Sequence, residues 1–187
     1  MTQSSQQVVL DQLKKVLIDA LGPEAQNIDV NDFLTRMDQS RHLMDGNHRL
    51  MDILGISKEK MDVLYAIAYN LYKNRKFEKA QNIFSVLCIC DPLNVDYWTG
   101  QANTLKNQQA YDLAIPGYHT LIKLRPSNLT YYLDLAECFL HLQQKEGAKN
   151  CLEALLLIAD NPDLRKETPN AQVIIEHAKD LLKNIKL

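Results

Sequence analysis

Ala80-Gln81-Asn82-Ile83-Phe84-Ser85-Val86-Leu87 returns in outline 34 residues later as Ala114-Ile115-Pro116-Gly117-Tyr118-His119-Thr120-Leu121, and again 34 residues on as Ala148-Lys149-Asn150-Cys151-Leu152-Glu153-Ala154-Leu155. Each copy keeps a small residue first, a large apolar or aromatic residue four places on (Phe84, Tyr118, Leu152), and a leucine three further (Leu87, Leu121, Leu155). Working outward, a second alanine stands twelve residues before each of these: Ala68, Ala102 and Ala136. Leu64, Trp98 and Tyr132 occupy an equivalent large position near the start of each copy. Pro92 and Pro126 close the first two copies, and the third has Asp160-Asn161-Pro162, two residues late.

A period of 34 with this alternation of small and large residues is the tetratricopeptide grammar, in which each unit is a helical hairpin. Alanines at the crossing let two backbones approach, and the large residues fill the space towards the next hairpin. Proline ends the second helix because it lacks an N–H and its ring clashes with the preceding turn. One such unit cannot bury its apolar face alone, so about three are needed for a stable stack. The reading is an all-α solenoid of three helical hairpins, at residues 61–94, 95–128 and 129–162. Residues 1–60 form an N-terminal helical extension and 163–187 a C-terminal capping helix. Within the second repeat, Pro116-Gly117 predicts a local kink or a late-starting helix.

In the extension, Val9, Leu10, Leu13, Val16, Leu17, Ala20 and Leu21 share one face of a helix over 8–21, which Gly22-Pro23 stops. Residues 24–56 read as shorter helices with a turn at Asp45-Gly46-Asn47. Near the other end, Thr168-Pro169 reads as a cap and first turn. It opens a helix with Val173, Ile174, Ala178, Leu181, Leu182 and Ile185 on its packing side, a lid on the last repeat.

Composition removes several classes of function. With 46% apolar and 24% charged residues among 187, the chain has the balance of a globular protein. A formal charge of -2, with no cluster of Lys and Arg, argues against nucleic acid and against a membrane surface. No apolar run reaches transmembrane length, and Met1–Gln7 lacks the basic and apolar regions of a signal peptide, so a cytosolic location is expected. Cys88 and Cys90 are two apart in a helix and point to different sides, and Cys138 and Cys151 complete no zinc spacing. His42, His48, His119, His141 and His177 form no metal pair. No metal and no cofactor is expected. Without a glycine-rich phosphate loop or a nucleophile motif, neither is an enzyme.

In tetratricopeptide stacks the second, fifth, ninth and twelfth positions of each repeat face the concave groove. Here they are Asp62, Tyr65, Tyr69 and Tyr72 in the first repeat, then Asp96, Thr99, Asn103 and Lys106 in the second. The third has Thr130, Leu133, Glu137 and Leu140. Tyr65, Tyr69 and Tyr72 fall at i, i+4 and i+7, one stripe of a helix. Such aromatic stripes are commonly core. Leu64, Ile67, Ala68 and Leu71 already supply a packing face, however, which leaves the tyrosines as anchors for a foreign side chain. Co-chaperones that grip acidic tails use Lys and Asn at these places to clamp a carboxylate. Tyr65 and Tyr69 at the fifth and ninth positions of the first repeat remove that reading.

Leu64-Tyr65-x-x-Ala68-Tyr69, Phe84-x-x-Leu87-Cys88-x-x-Asp91, Tyr111-Asp112-x-Ala114 and Ala136-Glu137-Cys138 together resemble the class II chaperones of bacterial type III secretion, which hold translocator proteins. Leu54-Gly55-Ile56-Ser57 is similar to that family's lead-in to the first repeat, and the resemblance runs from about Leu50 to Ala159. The N-terminal region is longer than the family norm, and Pro116-Gly117 departs from its plain helix. The resemblance implies a cytosolic holdase of a Gram-negative bacterium that masks apolar segments of a translocator before export. An extended Pro/Leu-containing segment of the cargo would lie in the groove, with Phe77 and Phe84 joining the first-repeat tyrosines as pocket residues. It also implies a homodimer through the N-terminal helices. The alternative reading is a general tetratricopeptide adaptor that scaffolds a protein assembly.

Overall fold

The computed structural model describes residues 51, 56–166 and 168–185. The amphipathic segment 8–21 and the turn at 45–47 lie outside the described residues. The chain divides into two compact units, Met1–Gly100 and Gln101–Leu187. Among the described residues there are eight helices and no strand: α1 (Lys58–Lys73), α2 (Phe77–Cys90), α3 (Val95–Asn107), α4 (Tyr111–Leu124), α5 (Leu129–His141), α6 (Lys145–Ala159), α7 (Pro162–Arg165) and α8 (Ala171–Asn184). The unit boundary falls within α3. α1 packs on α2, α5 packs on both α4 and α6, and α8 packs on α6 and α5 as a cap.

In the first unit α1 packs on α2. The Ser57 hydroxyl caps α1 by accepting from the Lys60 N–H at 3.4 Å, and α1 buries Met61, Leu64 and Ala68. Ile67, expected on the packing face, is exposed, and Met61 takes that role three residues before Leu64. α2 buries Ala80, Ile83, Phe84, Val86, Leu87, Cys88 and Cys90. It ends two residues before Pro92.

The turn inside each hairpin is closed by a residue in the left-handed region: Arg75, Gln109 and Gln143, at φ 58°, 61° and 60°. Each ends its helix in a six-to-one bond: Lys76 N–H to Leu71 O, Ala110 N–H to Leu105 O, and Gln144 N–H to Phe139 O. Glycine normally takes this place because it has no Cβ to clash. Its absence left these turns without a sequence signal, although they recur with the repeat. The links between hairpins recur too. Asn94 and Asn128 cap α3 and α5 by accepting from Asp96 N–H (3.0 Å) and Thr130 N–H (3.1 Å). Trp98 Nε1–H donates to Pro92 O at 2.8 Å, and the Tyr132 hydroxyl donates to Pro126 O at 3.0 Å.

In the second unit α4 starts at Tyr111, so the late start predicted from Pro116-Gly117 does not occur. Pro116 lies inside the helix, where its missing N–H removes one intrahelical bond. Its carbonyl accepts from the Thr120 hydroxyl at 3.0 Å. Gly117 has a packing reason: a Cβ there would sit 3.1 Å from Ala102 Cβ, where α4 crosses the second half of α3.

The C-terminal cap differs from expectation in two ways. Thr168 does not cap α8, which begins at Ala171 after Asn170. Instead Thr168 is buried, and its Oγ1 accepts from the Leu129 N–H at 2.9 Å and donates to Ser127 O at 3.3 Å. It therefore satisfies a free N–H at the start of α5, one of the donors a helix cannot satisfy itself. On α8 and its C-cap, Ile174, Ala178, Leu181, Leu182 and Ile185 pack inward as expected, and one residue of the face differs. Val173 is 66% exposed, while Ile175 and Ala178 are buried beside Leu155 and Ala159. Thr168→Val keeps the shape but leaves the Leu129 N–H unpaired. It is expected to lower stability by ~2 kcal/mol, whereas Thr168→Ser should cost less than half of that. Urea denaturation of the two variants checks this, and equal losses would mean the hydroxyl is not the cause.

Candidate functional site

The candidate residues of the first unit gather around Tyr65. One turn separates it from Tyr69 on α1, and the two rings stack at 6.2 Å with planes 24° apart. Tyr65 also meets Phe84 edge-on at 6.1 Å and Tyr97 at 5.7 Å. It is therefore half-buried and anchored on the core, while Tyr69 is 48% exposed. Tyr72 and Phe77, both half-buried, pair across the α1–α2 turn at 5.8 Å. Lys73 Nζ lies 5.9 Å from the Tyr69 ring centre.

Phe84 requires a correction. It was expected as a pocket residue, but it is fully buried, and its ring fills the space left by Gly100 on α3. A large side chain four residues after the small one is the repeat's own packing residue, so it cannot also meet a ligand directly. Its part in the site is to support Tyr65 from below. Tyr97, buried next to Trp98, does the same and was missed because only its neighbour matched the repeat position.

Asp62 and Asp96 are both exposed. Asp62 is one turn before Tyr65 on the same face, and Asp96 is in the first turn of α3. Burial, with the Asp96 carboxylate and then Tyr69 adding to it, raises the pKa of the Tyr65 hydroxyl. Thr99 is half-buried, and its hydroxyl donates to Val95 O of its own helix at 2.8 Å.

In the second unit Lys106 is held between two carboxylates of α5, at 2.6 Å from Asp134 and 2.5 Å from Glu137. Burial alone would lower the Lys106 pKa, but Asp134 and Glu137 hold it above its ordinary value. Burial raises that of Asp134 despite Lys106. Asp134 was missed because it lies outside the four groove positions. Asn103 accepts from the Tyr118 hydroxyl at 2.8 Å. Lys106 and Asn103 are thus both engaged within the protein, a second reason why they do not clamp a foreign carboxylate. Leu133, expected in the groove, is buried in the cluster with Leu152 and Leu155, because this residue faces α6. Thr130 and Leu140 are half-buried.

Lys106→Met leaves two largely buried carboxylates without their cation and is expected to cost ~2 kcal/mol at neutral pH. An elevated carboxylate pKa favours folding at low pH and loses that contribution as pH rises through the folded value. Removing Lys106 raises Asp134 further, so the deficit should shrink as the pH falls through the carboxylate range. Thermal melts at neutral and acidic pH measure the difference, and a deficit that does not change with pH would count against the ion cluster.

Burial pushes the thiols of Cys90, Cys138 and Cys151 up to about 11, and that of Cys88 higher still. They stay protonated at neutral pH and make poor nucleophiles or ligands. Among the described residues no three His, Cys, Asp or Glu are grouped to hold a metal, and no helix is long and apolar enough to cross a membrane.

Paired helices closed by recurring turns, with tyrosines left on one face, define a tetratricopeptide-repeat protein. The tetratricopeptide repeat family matches residues 107–166. The low calcium response locus protein H of Yersinia pseudotuberculosis is 28% identical over 127 residues, 66% of this chain and 74% of that protein. The chaperone protein SicA of Salmonella typhimurium is 28% identical over 116 residues, 62% of this chain and 70% of its own. The type III secretion translocator chaperone SycD of Yersinia enterocolitica superposes with a TM-score of 0.61 at 23% identity, covering 74% of this chain and 99% of that one. SycD in complex with a peptide of the translocator YopD gives a TM-score of 0.55 at 25% identity, covering 66% and 95%. The chain is thus similar in sequence to the chaperone SicA and in fold to the type III secretion translocator chaperone SycD.

Proposed function

We propose that this protein is a cytosolic, non-enzymatic secretion chaperone that holds an apolar segment of a type III translocator before export. The observation that carries the reading is the Tyr65–Tyr69 stack, fixed to the core at one end and open to solvent at the other. A rigid aromatic ring that is already ordered loses little conformational freedom when a foreign side chain packs on it. The structure of a relative with a translocator peptide supports the same kind of partner. Asp62, Tyr65, Tyr69, Tyr72, Phe77, Asp96 and Thr99 are the contact residues proposed in the first unit. Asn103, Lys106, Glu137 and Leu140 are the remaining proposed contacts. The repeat boundaries 61–94, 95–128 and 129–162, and a homodimer through the extension 1–60, belong to the same proposal.

Magnitudes limit what the aromatic face does alone. Three buried anchors of leucine size supply roughly 6 kcal/mol before ordering costs, and micromolar affinity needs about 8. A tight complex therefore uses further cargo contacts. The test is co-expression with a translocator that is insoluble on its own. A soluble, co-purifying complex is the expected result. A translocator that stays insoluble, beside a well-folded partner that binds equally well, would favour the scaffolding adaptor instead.

A further inference from the structure

Resting on that reading, we propose that the tyrosine face of the first unit selects by charge, taking an apolar cargo side chain that has a lysine or arginine beside it. Asp62 and Asp96 flank Tyr65 from two different helices, and both are exposed. Neither carboxylate makes an ion pair among the described residues. The second unit behaves differently: there Lys106 occupies both Asp134 and Glu137. Asp96 also complements the positive end of α3, but that partial charge does not cancel a full carboxylate. Asp96 directly precedes Tyr97, whose ring lies 5.7 Å from that of Tyr65, and its carboxylate helps to raise the pKa of the Tyr65 hydroxyl.

The face also has a direction. Lys73 covers Tyr69 at one end, and Asp62 lies eleven residues before it, roughly 16 Å along the helix. A cationic residue of the cargo is therefore attracted to the Asp62–Asp96 end and repelled from the other. A guanidinium there can stack on the Tyr65 ring and still reach a carboxylate.

The test uses the full chain and three labelled peptides. Each is an extended Pro-Ala-Leu-X-Ala-Pro probe, with Arg, Gln or Glu at X, titrated by fluorescence anisotropy. The Arg probe is expected to bind about ten-fold more tightly than the Glu probe at low salt, with Gln between them. The ratio should shrink towards one in high salt, because these carboxylates are exposed and screened. In the Asp62→Asn/Asp96→Asn variant it should fall below about two. Equal binding of the three probes, or a ratio that survives in the variant, overturns the charge selection and leaves cargo holding intact. If no probe binds, or if Tyr69→Ala leaves all three affinities unchanged, the tyrosine face is not a cargo site and the charge selection falls with it.

Discussion

Replacing Tyr65 and Tyr69 together by alanine is expected to weaken the cargo complex about 100-fold. Each ring offers only part of its surface to a partner, because Tyr65 already rests on Phe84 and Tyr97 and Tyr69 is 48% exposed. An anchor half covered in this way contributes ~1–1.5 kcal/mol, below the 1.5–3 of a fully buried one, so two give ~2–3. The single variants separate binding from folding. Tyr69→Ala should lose about ten-fold in affinity with only a small drop in melting temperature, since half of the residue is exposed and its ring contact is the stack on Tyr65. Tyr65→Ala should lose affinity and also lower the melting temperature, because it removes three aromatic contacts, to Tyr69, Phe84 and Tyr97, worth ~0.5–1.5 kcal/mol each. Isothermal titration and circular dichroism read both quantities. Wild-type affinity in the double variant would remove α1 from the binding account.

Gly100→Ala tests the core beneath that face. Helix propensity alone predicts that the change stabilises by ~1 kcal/mol, since glycine is the poorer helix former. The packing predicts the opposite. A Cβ at Gly100 would lie 2.2 Å from Phe84 Cε1 and 2.4 Å from its Cζ, and Phe84 is fully buried with little room to withdraw. Overpacking of this kind costs ~3 kcal/mol, so a net loss of ~2 is expected. Phe84→Leu shortens the ring that causes the clash, so the double variant should be more stable than the sum of the single effects by at least ~1 kcal/mol. Urea denaturation gives the four values. A neutral or stabilised Gly100→Ala would mean that the ring does not occupy that space.

Much of the fold was legible because the repeat writes its packing in residue size. Ala80, Ala114 and Ala148, with Phe84, Tyr118 and Leu152 four places on, are all fully buried, as their pattern of small and large required. The proline positions were informative as well, since α2 and α4 end two residues before Pro92 and Pro126. The hairpin turns were not legible, because Arg75, Gln109 and Gln143 adopt a backbone conformation that any L-residue can be forced into but that only glycine advertises. Thr168 misled for a related reason. Thr-Pro is a local helix-start signal, but the donor that its hydroxyl satisfies belongs to Leu129, 39 residues away.

The sequence by itself determined the helical repeat, its period and the placing of three tyrosines on one face of a helix, though Tyr65 and Tyr72 also pack against the core. These are local or periodic properties, set by side-chain volume and helical spacing. Only the tertiary structure decided that Phe84 supports the site without lining it, that Lys106 is already paired, and that Thr168 serves the Leu129 N–H at another helix. Those outcomes depend on which groups meet across helices, and one helix's residue pattern carries no record of its partner's surface.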